Sequence, residues 1–573
     1  MDRNTVIGVV LIFLILITWQ WFMAPSKEQI ATQKQQQDSL ARAAFIQDSL
    51  ATLTPIPKQD TSLSQKQDSI VSAEMAGRFG TFAPSATGTE ATHVLENEYM
   101  KVTFSSKGAG IREVLLKKYF KMVEDSTKKD VKVPLYLMSE KNDKMTFLLP
   151  FSRGGSQKIK TSDLYFEALP EGNTLTFRAP AGQGKYFEQV YRLAPDNYEL
   201  EFSAKAVGLE SDIDAKSVQF DWTNYLEKIE KNHNYERTYS TIFYKTTDES
   251  PDYLSWTKND ELALPKSTKW VSHSHQFFNS TFFADQSFEG VNLKVEVLDP
   301  ELPDLKIASS TFNTPLDKVE GFSGKWYVGP NEFKRMKDIG YEFEDVIPFG
   351  WSIFGTINRW VIRPMFNFLT AFIPSAGIVI LLLTLLVKAL LFPLSYKMIY
   401  SQSRMTVLKP EIAKLKDKFK DDTQQQQMET MKLYREYGVN PLGGCLPVLL
   451  QMPIWFALYR FFPASIEFRQ ESFLWANDLS SYDVFAHLPF NIPFYGEHVS
   501  MFTLIWVVST IAYTWYNAQF VDYSANPMMK YMQYIMPVMF IFFFNSFASG
   551  LTAYLVFSNL LNIGQTFFTK AYL

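Results

Sequence analysis

The sequence predicts a multi-domain protein: an α-helical polytopic membrane core, an all-β sandwich domain outside the membrane, and a helical hairpin on the opposite side. Three observations lead there. Apolar runs cluster at the two ends of the 573-residue chain. A long middle stretch alternates apolar and polar residues with period two, as half-buried strands do. Mean hydropathy is only −0.10 although 46% of residues are apolar, which fits a membrane part joined to a water-facing part.

Several classes are excluded early. A net charge of −4 gives no sign of a nucleic-acid surface. The single Cys445 cannot close an internal disulfide. There is no GxxxxGK[ST] loop, and the six His show no HExxH or comparable ligand spacing, so neither a nucleotide nor a metal cofactor is expected.

The elements follow in chain order. Residues 1–23 hold an apolar run longer than a signal h-region, with no A-x-A site after it, and Trp19 and Trp21 suit an interfacial belt. They read as a retained transmembrane anchor rather than a cleaved signal. Residues 24–90 are rich in Gln, Ser, Asp, Ala and Thr, with too little apolar surface to offset ordering, so they read as a flexible tether. Residues 91–345 carry the period-two pairs Val102/Phe104, Leu175/Phe177, Tyr198/Leu200/Phe202 and Leu293/Val295/Val297, separated by Gly, Pro, Asn and Asp clusters. They predict a β-sandwich. Residues 346–372 mix apolar and aromatic residues with Arg359 and Arg363, interrupted by Pro364, and predict an interfacial amphipathic helix.

Residues 373–573 form the core, with spans near 376–396, 443–462, 499–520, 528–547 and 549–569. Residues 397–440 carry nine Lys or Arg, whereas 463–498 carry only Arg469. The positive-inside rule puts the first loop in the cytoplasm and the second outside. Counting back gives six spans, both termini inside and the β domain outside, with a tight outer turn at Ser546–Gly550.

The 397–440 loop has its own pattern. Met405, Leu408, Ile412, Leu415 and Phe419 make a seam, broken at Pro410, where a helix is expected to start. Asp421-Asp422-Thr423 reads as a turn and N-cap, followed by a second helix with Met428, Met431 and Tyr434 on one side. This predicts a projecting hairpin whose cations Arg404, Lys409, Lys414 and Lys416 face anionic lipid, a ribosome or water.

Lys388 stands out inside the 376–396 span. A cation near a span's middle costs roughly 2.5–3.5 kcal/mol on insertion scales, so it snorkels, meets a partner or lines a wet cavity. No Asp or Glu lies within the span cores to pair with it. Neutral polar residues do: Thr384 one turn before Lys388, Gln451, and an arc of Ser558, Asn559, Asn562, Gln565 and Thr566 on the last span. Together they predict a polar recess, open to the cytoplasm, holding a positive charge without a counter-ion. Met452 and Trp455 beside it offer an apolar slide.

Particular segments resemble a known family. These are MDRNTVIGVVLIFLI at the start, KWYVGP at 325–330, FGW at 349–351, NPLGGCLPVLLQMPIWFALY at 440–459 and FASGLTAYLVFSNLLNIGQ at 547–565. They are similar to the YidC/Oxa1/Alb3 membrane protein insertases, in the bacterial form with a large periplasmic domain. The resemblance implies five core helices around a hydrophilic groove, plus the anchor and a β-supersandwich. It places the groove cation, usually Arg in this family, at Lys388, which keeps the charge and loses the bidentate fork. It matches Thr384, Gln451, Met452 and Tyr554 to groove positions, with Trp455 where Phe is common and Leu555 beside Tyr554.

The resemblance implies an insertase and folding chaperone of the bacterial inner membrane, not an enzyme, acting alone or with the Sec translocon and its accessory subunits. Nascent membrane proteins, the ribosome and lipids are the expected partners. The chain ends at Lys570-Ala-Tyr-Leu573 without a basic tail, so ribosome contact falls to the hairpin. The alternative is a small-anion channel or transporter with Lys388 as its selectivity charge.

Overall fold

The computed structural model describes residues 75, 77–124, 130–139, 142–152, 158–182, 184–316, 321–350, 352–419, 422–438, 446–493, 495–518 and 527–572. The expected anchor, residues 24–74 of the tether, Cys445 and Asp421 lie outside them. Apart from the first turns of one helix, everything below belongs to one compact unit, Met75–Asp522 with Gln533–Leu573.

The middle of the chain is β. Strands Thr92–Glu96, Met100–Ser105, Ile111–Glu124 and Asp130–Leu137 pair antiparallel in chain order. A larger, fourteen-stranded sheet folds back over itself. Phe147 on strand Lys144–Pro150 stacks 6.1 Å from Phe202 on strand Glu199–Val207, although other strands separate the two in the sheet. The alternation explains this packing: Val102, Phe104, Leu175, Phe177, Leu200, Phe202, Leu293 and Val295 are all buried. Strand Phe278–Val297 serves both layers. Its first half pairs with Phe322–Pro330 and its second with Asp304–Asn313. The register shifts between Glu289 and Asn292, where Gly290 takes φ +56. Such a bulge bends a strand, and a residue with a Cβ would be strained there.

The described helices are α1 (His233–Tyr239), α2 (Phe333–Ile339), α3 (Ser352–Ile357), α4 (Arg363–Thr370), α5 (Ala376–Val407), α6 (Lys409–Lys418), α7 (Thr423–Glu436), α8 (Leu446–Ala464), α9 (Met501–Ala518), α10 (Pro527–Phe544) and α11 (Ser549–Tyr572). Among the described residues one helix segment, Ala376–Lys397, is long and apolar enough to cross a bilayer; Tyr531–Phe544 is apolar but shorter. Helix α11 packs along both α5 and α9, and α8 touches α5 and α11.

Two expectations need correction. The span expected at 376–396 is not one of them: it coincides with the apolar segment Ala376–Lys397, and α5 continues beyond it, unbroken at Pro393, to Val407. The break comes at Leu408, and Pro410 sits in the first turn of α6. In α7, capped by the Asp422 side chain at Gln424 N and Gln425 N, the packing stripe is Leu433 and Tyr434 against buried Leu408 and Ile412, while Met428 and Met431 are exposed. Pro364 does not interrupt its segment either. It occupies the first turn of α4, and a π-turn at Asn358–Ile362 joins α3 to α4.

Candidate functional site

The site forms where α5, α8 and α11 meet. Lys388 on α5 is only 8% exposed. Its ammonium donates to Asn562 Oδ1 on α11 at 2.8 Å and to Gln451 Oε1 on α8 at 3.2 Å. Gln451 in turn reaches Ser558 Oγ on α11 at 3.5 Å. Two amide oxygens therefore replace part of the ammonium's hydration shell without cancelling its charge.

Thr384, expected beside Lys388, is buried but turns its hydroxyl back to the Ile380 carbonyl at 2.7 Å. This is the usual fate of a mid-helix Thr. The polar arc on α11 splits in two. Ser558 and Asn562, four residues apart, face Gln451 and Lys388. Asn559 faces α9 instead, donating to Ser509 Oγ at 2.8 Å and Thr510 Oγ1 at 3.2 Å, and Thr566, seven residues on, meets the Tyr513 hydroxyl at 3.2 Å. Ser509, Thr510 and Tyr513 were not expected. Their i, i+1, i+4 spacing on one helix face is the signal that points to them.

The surroundings of Lys388 are less polar than the expected recess. A cleft of ≈ 740 Å³ between α5 and α11 is walled by Leu385, Phe392, Leu561, Gly564 and Phe568, with Lys388 and Gln565 among its few polar groups. The Nε2 of Gln565 is buried without a partner among the described residues. On α8, Met452 is 41% exposed, and half-buried Trp455 packs on Phe456 (4.8 Å) and Phe544 (6.1 Å). Tyr554 is fully buried against Phe462 (6.3 Å).

The hairpin residues are not part of this cluster. Arg404 donates to the Tyr400 hydroxyl at 2.7 Å, Lys414 pairs with Glu411 at 2.8 Å, Lys409 opens α6, and the Lys416 side chain lies outside the described residues. Arg363, in the segment expected to be an interfacial amphipathic helix, is buried: it pairs with Glu467 and lies over the rings of Phe333 and Phe366.

Comparison with known proteins covers the whole chain. Residues 92–368 match the family model described as YidC periplasmic domain, and residues 368–573 match 60Kd inner membrane protein. Membrane protein insertase YidC of Parabacteroides distasonis is 35% identical over 99% of this chain and 92% of that protein. The protein of the same name from Bacteroides fragilis is 36% identical over 98% of this chain and 90% of its own. A crystal structure of an active YidC insertase with its first transmembrane domain resolved aligns over 88% of this chain and 99% of that one, at 19% identity and a TM-score of 0.34.

Proposed function

Because this chain belongs to the family of membrane protein insertase YidC, we propose that it inserts nascent membrane proteins into the bacterial inner membrane, its large β domain standing in the periplasm. The observation that carries the mechanism is the Lys388 ammonium, held by the neutral amides of Asn562 and Gln451. A carboxylate or polar flank of an entering segment would find a positive charge not already neutralised, in surroundings of low dielectric where attraction is strong. The apolar part would leave along Met452 and Trp455 into lipid. Partitioning of the segment would drive the step, helped by the membrane potential acting on acidic flanks.

In this reading the core crosses the membrane with five helices and the anchor with a sixth, both termini inside. The parts are 1–23, 24–90, 91–345, 346–372 and 373–573. Exposed Trp360, Phe368 and Phe372 would rest at the outer lipid surface. Thr384, Tyr554, Asn559 and Gln565 would shape the groove. Hairpin cations Arg404, Lys409, Lys414 and Lys416 would receive the ribosome or the segment, and the Sec translocon would share larger clients. The relatives named above give the anion-channel alternative no support.

The test is rescue of a depletion strain with Lys388→Ala, Lys388→Arg and Lys388→Glu, reading insertion of a small Sec-independent membrane protein. Ala and Glu should fail at normal protein levels while Arg works. Normal insertion by all three would remove Lys388 from the mechanism and leave the apolar slide.

A further inference from the structure

The outer loop between α8 and α9 meets the β domain through its first half, where Arg469 donates to Glu230 at 2.8 Å. Its second half is a hairpin with strands Ala486–Ile492 and Gly496–Val499. The register shifts between His487 and Ile492, so Leu488–Asn491 bow out of the ladder. Two large rings stand exposed here, Phe485 by 59% and Phe490 by 63%. From Val484 to Val499 there is no Lys, Arg or Asp, and Glu497 is the only Glu. A lone two-stranded hairpin is marginal in water, and bare phenyl rings on it call for a cover.

The fold puts this hairpin at the outer ends of two apolar helices. Its second strand ends at Val499, just before α9 begins at Met501. Just ahead of its first strand, the Asp483 carboxylate accepts Met501 N–H at 2.8 Å and Phe502 N–H at 3.2 Å, capping α9. Asn545, directly after α10, holds the other side. Its Nδ2 donates to the Tyr495 carbonyl at 2.9 Å and the His498 carbonyl at 2.8 Å, and its Oδ1 accepts Ser500 N–H at 2.9 Å. The His498 Nε2 lies 2.8 Å from the Asn545 carbonyl. Tyr495, in the turn of the hairpin, meets the Phe542 ring at 5.9 Å, within the last turn of α10. Base and turn are both fixed at the level where α9 starts and α10 ends.

We propose that the hairpin 486–499 lies in the outer headgroup layer of the membrane, with Phe485 and Phe490 in contact with lipid. Aromatic rings settle at that depth, and a segment with a single carboxylate has little charge to desolvate there. A charged protein surface would find almost nothing on the hairpin to pair with. The hairpin would thus be an interfacial element of the core itself, in addition to residues 346–372. This placement rests on α9 and α10 spanning the membrane, as proposed above.

The experiment uses the full-length protein, with Cys445→Ser as background, in vesicles of phosphatidylethanolamine and phosphatidylglycerol. A small fluorophore is attached through Phe485→Cys, Phe490→Cys, Val538→Cys on α10 or Leu169→Cys on the β domain, all exposed positions. Quenching by lipids carrying a nitroxide, at the headgroup or at mid-chain, is compared with quenching by iodide on both sides of the vesicle. Labels at 485 and 490 should be quenched several-fold more by the headgroup nitroxide than the label at 169, and less by iodide. The label at 538 should respond to the mid-chain nitroxide. Phe485→Asp with Phe490→Asp, read from Leu488→Cys, should reverse the preference toward iodide. Labels at 485 and 490 open to iodide, with 538 in lipid, would overturn the proposal and leave the spans standing. Labels at 485 and 490 shielded from both quenchers would also overturn it and assign the face to a second copy of this chain. A label at 538 reached by iodide and not by lipid would remove the spanning reading itself.

Discussion

Lys388 Nζ and Asn562 Oδ1 lie 2.8 Å apart, an ammonium on α5 met by a neutral amide on α11. Neutrality is the point of the pair: an Asp at 562 would stabilise the helices and occupy the charge. Asn562→Asp should therefore raise thermal stability by at most about 1 kcal/mol, because the bond is already charge-assisted and the new buried carboxylate must be desolvated, and lower insertion. Asn562→Ala should lower both, since it leaves the ammonium short of an acceptor. Unfolding in detergent read beside client insertion separates the cases. An Asn562→Asp protein that inserts as well as the wild type would mean that an available charge is not required.

Gly377, in the first turn of α5, abuts Phe473 of the outer loop, and a Cβ there would run into that ring. Overpacking of this kind costs about 1–3 kcal/mol. Gly377→Ala should lower the unfolding midpoint and make the outer loop more sensitive to protease, and Phe473→Ala in the same chain should relieve it. Equal protease sensitivity in wild type and Gly377→Ala would show that the loop can move aside.

The β-domain junction should titrate near neutrality. Burial pushes the Glu230 carboxyl up to about 7, against the pull of Arg469 and with Glu236 and Asp478 adding to the rise. Burial also works to raise Glu236, but His233, His275 and the Glu230 backbone N–H hold it below the usual carboxylate range. Lys231 beside Glu230 is occupied by Asp130 at 3.1 Å. The sign follows from proton counting. Between the ordinary value of 4.5 and about 7 the folded state holds a proton on Glu230 that the unfolded chain has released, so stability falls as pH rises through that window. Glu230→Gln should flatten this part of the pH profile. An unchanged profile in Glu230→Gln would assign the titration to the Glu236 cluster.

Much of this was legible in the chain, for identifiable reasons. Alternation at Leu175/Phe177 and Leu293/Val295 marks strands because both residues of each pair are buried on one face of a sheet. Lys388 is conspicuous because its neighbours are apolar, and Asn562 and Gln451 are conspicuous for the same reason. The split of the α11 arc was within reach, since 558 and 562 fall on one helical stripe and 559 and 566 on another. What periodicity could not supply was anything joining distant parts of the chain. Glu230 and Arg469 are separated by 239 positions, and an Arg in a loop is ordinarily solvated. Arg363 turned inward for a related reason: Glu467 is its partner, over a hundred residues away.

Lys306 offers a test of the β domain alone. It is fully buried on strand Asp304–Asn313, and its ammonium donates to the Ser240 and Trp256 carbonyls. Burial, with Arg237 nearby, brings its pKa down from 10.5 to about 7. Between those values the unfolded chain binds a proton that the folded domain does not, so stability should rise with pH across the window, by at most about 1.4 kcal/mol per pH unit. Lys306→Met keeps the stem and removes the titration. Hydrogen exchange along strand Asp304–Asn313 in the full-length protein should slow from pH 7 to 10 in the wild type, once the intrinsic base-catalysed rate is divided out, and stay level in Lys306→Met. Equal slopes in the two proteins would mean that the folded domain keeps Lys306 charged through its two carbonyls.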